Sequence, residues 1–265
     1  MLPSLLDGLG WRLCFFVGFR TMPLGDCSPI ARSSLGLCLN SAGCALGVEE
    51  VPKTLAAEID AIHCGSFSLG VESFGSALEM LCHREADGRV ISVDPNIRAF
   101  LIDDRSVYEE RLGRFLSAAD VIKVSDEDLA WMHPGMEAAT FAQTRLDQGA
   151  ALVVVTLGAE GALAFSERSE VLVKAETVSL VDTVGAGDTF QAALLAGLSE
   201  RGRLNKKTIR NIDQMDLERL VKFAIGAAGL IVPGKGVIRL FGRKSALCEQ
   251  RWCELPPTEV NECLL

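Results

Sequence analysis

The stretch LVDTVGAGDTFQAALLAG, residues 180–197, combines a glycine-rich turn, an acidic residue and the start of an apolar helical pattern. Gly185 and Gly187 accept backbone angles that turn several N–H groups toward one point. The helix that follows adds its own unpaired N–H groups and a partial positive charge. Gly185, Ala186 and Gly187 are therefore predicted to form an anion hole.

Asp188 follows this turn directly. A fixed carboxylate would repel a stably bound phosphate, but it could act as a base beside a phosphoryl group that is being transferred. It would accept a proton from an attacking hydroxyl while the N–H groups hold the developing negative charge. The alternative is that Asp188 only caps the helix, because aspartate is a favoured N-cap residue. The residue types alone leave both interpretations open.

Other anion-binding motifs fit this stretch poorly. A P-loop requires Gly-Lys-Ser/Thr, which is not found here, and a dinucleotide fingerprint requires a third glycine and a later acidic residue. A dinucleotide-dependent oxidoreductase is therefore disfavoured. The chain has a formal charge of −9, which disfavours binding to nucleic acid or an anionic membrane. The basic cluster in residues 201–210 is interpreted as a solvated loop.

The elements that must position this chemistry alternate between strands and helices. Strands are predicted at residues 60–65, 89–94, 120–125, 151–156, 161–166, 170–174 and 177–181. Helices are predicted at residues 71–83, 106–118, 126–132 and 136–148, after the glycine turn, and across 217–228. This order predicts an α/β fold whose mainly parallel sheet is covered by helices on both faces. Each motif follows a strand, where ligands bind in such sheets.

The two ends of the chain differ from its middle. We divide it into an atypical N-terminal segment (1–50), a central α/β domain (51–237) and an atypical C-terminal tail (238–265). The nine cysteines form no C-x-x-C pair, so a reduced, cytoplasmic setting is expected. The adjacent His63 and Cys64 are interpreted as packing residues. Charges interrupt the first 24 residues too often for a membrane span. These residues have no basic start and no clean apolar core before a small-residue cleavage site, so a signal peptide is not expected.

Four stretches in order resemble the ribokinase/PfkB family of carbohydrate kinases. DTVGAGDTF (182–190) resembles its C-terminal signature, and VTLGAEGAL (155–163) resembles its T-x-G-x-x-G nucleotide segment. DPNIR (94–98) resembles the D-x-N-x-R segment of the fructokinase and 2-keto-3-deoxygluconate kinase branch. KVSDEDL (123–129) resembles the N-x-x-E region, with serine and aspartate in place of asparagine and glutamate.

The resemblance implies a ribokinase-like fold and transfer of the ATP γ-phosphoryl group to a sugar hydroxyl, most like a fructokinase. By this resemblance Asp188 is the general base, and Gly185, Ala186 and Gly187 form the anion hole. The cofactors would be ATP and Mg²⁺. The partners would be a small-molecule sugar and ATP, without nucleic acid or membrane, and a homodimer stays open.

The other matching residues receive roles from the same resemblance. Thr156, Gly158 and Gly161 would lie along the nucleotide; Asn96, Arg98 and Lys123 would lie near the phosphates or substrate; and Ser125 and Asp128 would organise Mg²⁺ through water. For Arg98 the alternative is a surface ion pair, and for Thr156 it is a hydroxyl that caps its own turn.

Residues 1–50 contain no recognisable glycine-glycine-asparagine sugar segment and no β lid of the kind that members of this family carry. The first strands of the family's sheet also have no recognisable counterpart there. A second hypothesis is therefore a catalytically impaired, kinase-like protein that binds a nucleotide or a partner. The intact acidic residue at position 188 favours the active kinase.

Overall fold

A computed structural model describes the backbone of residues 13–16 and residues 47–175 and 185–229 in full. Within these ranges seven strands form one sheet in chain order. They are β1 (Leu13–Phe16), β2 (Ala61–Gly65), β3 (Val90–Asp94), β4 (Val121–Ser125), β5 (Leu152–Thr156), β6 (Ala162–Ser166) and β7 (Ser169–Val173). Strands β1 to β5 are parallel, whereas β6 and β7 join antiparallel.

Helices cover both faces of this sheet. They are α1 (Phe74–Glu85), α2 (Arg105–Ala118), α3 (Asp126–Met132), α4 (Ala138–Asp147), α5 (Ala186–Glu200) and α6 (Gln214–Gly229). Apolar residues of α1 to α4 share one buried cluster with alternate residues of the strands. Residues of α5 and α6 share a second cluster with the intervening strand positions. The predicted mainly parallel sheet with two covered faces is therefore confirmed.

The alternation along β5 shows how the sheet serves two cores. Val153 and Val155 belong to the cluster under α1 to α4, while Leu152 and Val154 belong to the cluster under α5 and α6. All four side chains are fully buried. Successive side chains of a strand point to opposite faces, so a strand that is covered twice must be apolar at nearly every position. This explains the continuous apolar run that predicted β5.

The N-terminal segment contributes one strand that the sequence did not predict. Residues Leu13–Phe16 pair in parallel with β2, and Leu13 lies opposite Ala61. Four residues are too few for a distinct periodicity, and the partner that makes them a strand lies far along the chain. The first 50 residues thus supply one strand of the sheet, although no counterpart of the family's first strands is recognisable there in the sequence. The predicted strand at 177–181 lies outside the described residues, and the boundaries at 50 and 237 stay predictions.

The basic cluster forms ion pairs that hold the loop between α5 and α6 against the amino ends of the strands. The Lys206 ammonium donates to both carboxylate oxygens of buried Asp120, at 2.9 and 2.7 Å. Arg203 pairs with Asp216 at 3.4 Å, and Arg210 pairs with Glu167 at 3.0 Å. The interpretation as a solvated loop is therefore wrong for this part of the cluster. None of the described helices is long and apolar enough to cross a lipid bilayer.

We expect Gly161→Ala to lower the free energy of unfolding by at least about 2 kcal/mol. Gly161 has a φ of 109°, and a Cβ atom there would lie 2.0 Å from the Val173 carbonyl oxygen. The matched control is Gly113→Ala, because Gly113 is exposed within α2 and has open space around it. That change should raise the free energy of unfolding by about 0.5–1 kcal/mol. Urea unfolding measures both, and a neutral Gly161→Ala would contradict the strained turn.

Candidate active site

Four strands end at the same edge of the sheet. Their last residues are Gly65, Asp94, Ser125 and Thr156. Helix α5 begins beside this edge, because the Lys123 Nζ atom lies 3.3 Å from the position that a Gly187 Cβ atom would take. The same Nζ atom donates to Asp94 Oδ2 at 2.8 Å. The fold thus brings the glycine turn together with two other motifs of the sequence.

The glycine turn caps α5 without a side chain. Gly185 is the N-cap residue and has a φ of 87°, in the left-handed region that glycine tolerates. Its carbonyl oxygen accepts two hydrogen bonds from Thr189, from the backbone N–H at 2.9 Å and from the hydroxyl at 2.8 Å. Because glycine has no side chain to engage them, the N–H groups of the first helical turn are available to an anion.

Asp188 is the third residue of α5, not its cap. The alternative that it serves as the N-cap is therefore wrong, since Gly185 takes that position. The Asp188 side chain is exposed to solvent. The negative charge of Asp188 is one of the causes that raise the pKa of the buried Asp94 carboxyl. The Asp188 carboxylate is thus exposed to solvent in the first turn of α5, which is the turn that is predicted to bind an anion.

Asp94 and Lys123 form a buried ion pair under this turn. Their side chains are 5% and 4% exposed, respectively. Burial raises the pKa of Asp94 to about 6, opposed by the positive charge of Lys123 and helped by Asp128 and Asp188. The second carboxylate oxygen of Asp94, Oδ1, is buried and has no hydrogen-bond partner among the described residues. The pair is therefore held by one oxygen of the carboxylate.

Ser125 and Asp128 form a capping box at the start of α3. The Ser125 hydroxyl accepts from the Asp128 N–H, and Asp128 Oδ2 accepts from the Ser125 N–H, both at 3.0 Å. Asp128 Oδ1 accepts from the Ile97 N–H at 2.7 Å. The buried carboxylate thus joins α3 to the loop after β3. No group of three or more His, Cys, Asp or Glu residues in the described ranges could by itself hold a metal ion.

The loop after β3 carries Asn96 and Arg98. Asn96 has a φ of 39°, an unusual backbone conformation for a residue other than glycine. The Arg98 guanidinium contacts the carbonyl oxygens of Asn96 and Ile97 at 3.5 and 3.3 Å. In the described part of the chain these carbonyls, and no carboxylate, are its contacts. The surface ion pair considered for Arg98 is therefore not formed among these residues.

The predicted nucleotide segment follows β5. Thr156 is half-buried, and its hydroxyl donates weakly to the Val124 carbonyl oxygen of the neighbouring strand at 3.4 Å. The alternative that it caps its own turn is therefore wrong. Gly158 and Gly161 both have positive φ, 55° and 109°, so this turn needs glycine at each position. The turn leaves β5 at the same edge as Asp94 and Ser125.

Sequence reasoning missed a buried polar chain beneath α5. The Gln191 side-chain amide donates to Ser92 Oγ at 2.6 Å, and Ser92 Oγ lies 3.1 Å from His63 Nδ1. Because Ser92 accepts from Gln191, its own proton can be donated to Nδ1 of a neutral imidazole. Burial and the nearby charge of Lys123 lower the pKa of His63 to about 4, which favours this neutral form.

One signal in the sequence could have revealed these residues. His63, Ser92, Asp94 and Lys123 interrupt apolar strands at positions that alternate with core residues. In a sheet covered on both faces, polar side chains at such positions must be buried and need partners. All four are buried on the face that α5 covers, since their neighbours in sequence belong to the opposite core. The face under α5 is thus partly polar near its N-terminus.

Comparison with known proteins identifies the family of the chain. The sequence profile described as pfkB family carbohydrate kinase matches residues 40–241. The chain belongs to the pfkB family. This confirms the resemblance read from the motifs, and the matched range includes all of residues 51–237. Every predicted site residue lies within it.

Fructokinases are among the similar relatives. The chain is 42% identical over 163 residues to the fructokinase of Rhizobium leguminosarum bv. trifolii, covering 62% of this chain and 50% of that one. It is 32% identical over 180 residues to the fructokinase of Vibrio alginolyticus, covering 68% of this chain and 56% of that one. The chain therefore spans about half the length of these two pfkB relatives.

A solved structure supports the fold assignment. The fructokinase of Vibrio cholerae O395, with fructose, ADP and a calcium ion bound, superposes with a TM-score of 0.66 at 27% identity. The superposition covers 79% of this chain and 66% of that chain. A putative ribokinase II of E. coli gives a TM-score of 0.65 at 25% identity, covering 78% and 63%. The ribokinase-like architecture of this pfkB chain is thereby confirmed.

We expect His63→Asn to lose less stability than the unmodified chain as the pH falls from about 6.5 to 4. The unfolded chain protonates His63 below about pH 6.5, whereas the folded chain does so only below about pH 4. The stability that His63 contributes above pH 6.5 is therefore lost as the pH falls to about 4. The contribution of His63 to this loss is on the order of 3 kcal/mol, at about 1.4 kcal/mol per pKa unit. The raised pKa of Asp94 acts in the opposite direction over the same pH range, so the contribution of His63 is the difference between variant and unmodified chain. Urea unfolding at several pH values measures it. The exposed residue His83 supplies the control His83→Asn, and an unchanged slope in His63→Asn would contradict a buried neutral imidazole.

Asp128→Ala should loosen the loop that carries Asn96 and Arg98. The change removes the acceptor for the Ile97 and Ser125 N–H groups and should cost about 1–3 kcal/mol of unfolding free energy. Hydrogen exchange at both amides should become faster. Glu127→Ala is the matched control, because Glu127 is the exposed neighbour in the same helical turn. Equal protection of Ile97 in the two variants would disprove the link.

Proposed function

We propose that the chain transfers the γ-phosphoryl group of ATP to a sugar hydroxyl, and that fructose is the first acceptor to test. One observation carries the proposal: the exposed Asp188 carboxylate stands in the first turn of a helix that is capped by glycine and lies beside the Lys123 ammonium. Membership of the pfkB family supports the reaction class. The similar fructokinases, one of them with fructose and ADP bound, support the choice of acceptor.

In the proposed reaction Asp188 is the general base. The sugar hydroxyl loses its proton to the Asp188 carboxylate as its oxygen forms a bond to the γ-phosphorus of ATP. The bond from this phosphorus to the bridging oxygen breaks, and ADP leaves with that oxygen. The N–H groups of Gly185, Ala186 and Gly187 hold the negative charge of the phosphoryl group during transfer. The available N–H groups of the first turn of α5 support this role.

Lys123 supplies a further positive charge in this proposal. Its ammonium lies against the first turn of α5, so it can stabilise the same phosphoryl oxygens. Asn96 and Arg98 follow β3 at the same edge of the sheet, and Arg98 is a suitable donor to phosphate. These groups together favour an anionic substrate despite the net negative charge of the chain.

ATP would lie along the turn after β5, which contains Thr156, Gly158 and Gly161. The two glycines allow the backbone to approach a nucleotide closely. Mg²⁺, the expected metal, prefers oxygen ligands and is held in such sites mainly by the phosphates of the nucleotide and by water. The Ser125 hydroxyl and the Asp128 carboxylate are oxygen ligands of this kind, although both already stabilise α3, so their contact would be through water. Mg²⁺ would screen the phosphate charge.

The alternative is a kinase-like protein that binds nucleotide without phosphorylating a sugar. Residues 1–50 contain no recognisable sugar-binding segment, which is the feature that favours it. A coupled assay of ADP release against hexoses, pentoses and nucleosides separates the two. Release that depends on a sugar supports the kinase, and ATP binding without such release selects the alternative. The cytoplasmic setting and the homodimer stay predictions.

Asp188→Asn should lower kcat by about 10²–10⁴-fold, because the amide cannot accept the hydroxyl proton. ATP binding should be retained, since the backbone N–H groups are unchanged. The coupled ADP-release assay measures kcat, and calorimetry measures binding. Glu218→Gln on the exposed face of α6 is the matched control for loss of one negative charge. If Asp188→Asn phosphorylates the sugar at the original rate, Asp188 is not the base.

A further inference from the structure

We propose that Asp94 is a positioning residue that holds the Lys123 ammonium at the first turn of α5, where Lys123 binds the phosphoryl group during its transfer. The inference rests on the proposed kinase function. Asp94 is the first residue of the D-x-N-x-R segment, and the family resemblance gave no separate role to its carboxylate. Asp94 acts through Lys123 and does not touch the substrate.

The burial of the pair is the first reason. Both side chains are at least 95% buried, and the Lys123 Nζ to Asp94 Oδ2 distance is 2.8 Å. Taking two charges out of water costs several kcal/mol per ion, and well-packed apolar residues often replace such pairs without loss of stability. On the same sheet face Val121 lies two residues before Lys123 and Val90 lies four residues before Asp94, and both are buried apolar residues. A buried Asp–Lys pair at this point is therefore better explained by a role in the site than by stability.

The direction of the lysine is the second reason. Its Nζ atom comes within 3.3 Å of the site of a Cβ atom on Gly187, so the ammonium lies against the backbone of the proposed anion hole. An ammonium has three N–H donors, and Asp94 accepts from one of them. The other two can be donated to phosphoryl oxygens bound at the same helix N-terminus. Without the carboxylate, a flexible four-carbon side chain would have no fixed direction.

The third reason is the charge balance around Asp94. The charges that shift the pKa of Asp94 are those of Lys123 from β4, Asp128 from α3 and Asp188 from α5. Tyr108 on α2 also feels the charge of Asp94, and the lowered pKa of His63 on β2 favours its neutral form. Burial raises the pKa of Asp94 to about 6, so the carboxylate gains a proton and releases the ammonium as the pH falls below that value. The rate of phosphoryl transfer should therefore rise through about pH 6 as Asp94 ionises.

The test uses Asp94→Asn, Lys123→Met and the double variant in the full chain. Each single change should lower kcat by about 10–100-fold, with the KM for the sugar changed by less than about threefold. The double variant should be no slower than Lys123→Met, because Asp94 acts through the lysine. Asp94→Asn should also lose the rise in kcat near pH 6. Wild-type kcat and pH profile in Asp94→Asn, or effects that multiply in the double variant, would overturn the inference.

A binding experiment keeps the inference testable apart from turnover. Calorimetry compares ADP with a non-hydrolysable ATP analogue, which differs by the terminal phosphate. Lys123→Met and Asp94→Asn should weaken analogue binding by about tenfold more than ADP binding. An unchanged ratio for Lys123→Met would overturn the inference even if Asp94→Asn does not fold. If the wild-type chain releases no ADP with any sugar, the proposed function fails, whereas this ratio still tests the position of Lys123.

The matched control is another Asp–Lys pair of the described residues, Asp120 with Lys206. Lys206→Met breaks the pair with buried Asp120 at the amino ends of the strands. This change should lower the free energy of unfolding but leave kcat and the ratio of analogue to ADP binding within about twofold of wild type. Equal effects of Lys206→Met and Lys123→Met on the ratio would mean that general destabilisation, and not position, explains the result.

Discussion

The arrangement of the site depends on positive charge gathered at one helix N-terminus. The first turn of α5 presents unpaired N–H groups, and the Lys123 ammonium reaches the same turn from the buried face of the sheet. Such a concentration of positive charge needs nearby negative groups to be stable. Asp94 supplies a negative charge from the protein interior, and Asp188 supplies a second negative charge from the solvent side.

This constraint makes the two faces of the sheet unequal. Under α1 to α4 the buried cluster is apolar and packs like an ordinary core. Under the N-terminal part of α5, His63, Ser92 and Gln191 form a hydrogen-bonded chain next to the ion pair. Two polar atoms here, Asp94 Oδ1 and Gln191 Oε1, have no partner among the described residues. Unsatisfied buried groups oppose folding, so the apolar face must supply much of the compensating stability.

The two edges of the sheet also serve different purposes. At the amino ends, Asp120 accepts from the Ile91 N–H and from Lys206, and this fastens the loop between α5 and α6. At the carboxyl ends the polar groups are arranged around the glycine turn, as expected for ligand sites of open α/β sheets. Stabilising ion pairs and candidate chemistry are thus separated along the strands. A change at one edge need not disturb the other.

The sequence by itself determined the order of elements, the class of fold and the family. Strand and helix periods are local properties, so the apolar run of β5 and the repeating face of α5 could be read directly. The glycine turn, with its acidic residue, predicted a candidate anion site for the same local reason. Single short elements were harder, because Leu13–Phe16 becomes a strand only through pairing with β2.

Only the tertiary structure decided which polar residues meet. Asp94 and Lys123 lie 29 positions apart, and the parallel register of β3 and β4 places them side by side. Gln191 and Ser92 are separated by 99 positions and meet because α5 packs on that face. The tertiary structure also decided that Gly185, and not Asp188, is the N-cap residue of α5. Such pairings depend on strand register and helix packing over the whole domain, and no local pattern in the sequence encodes them.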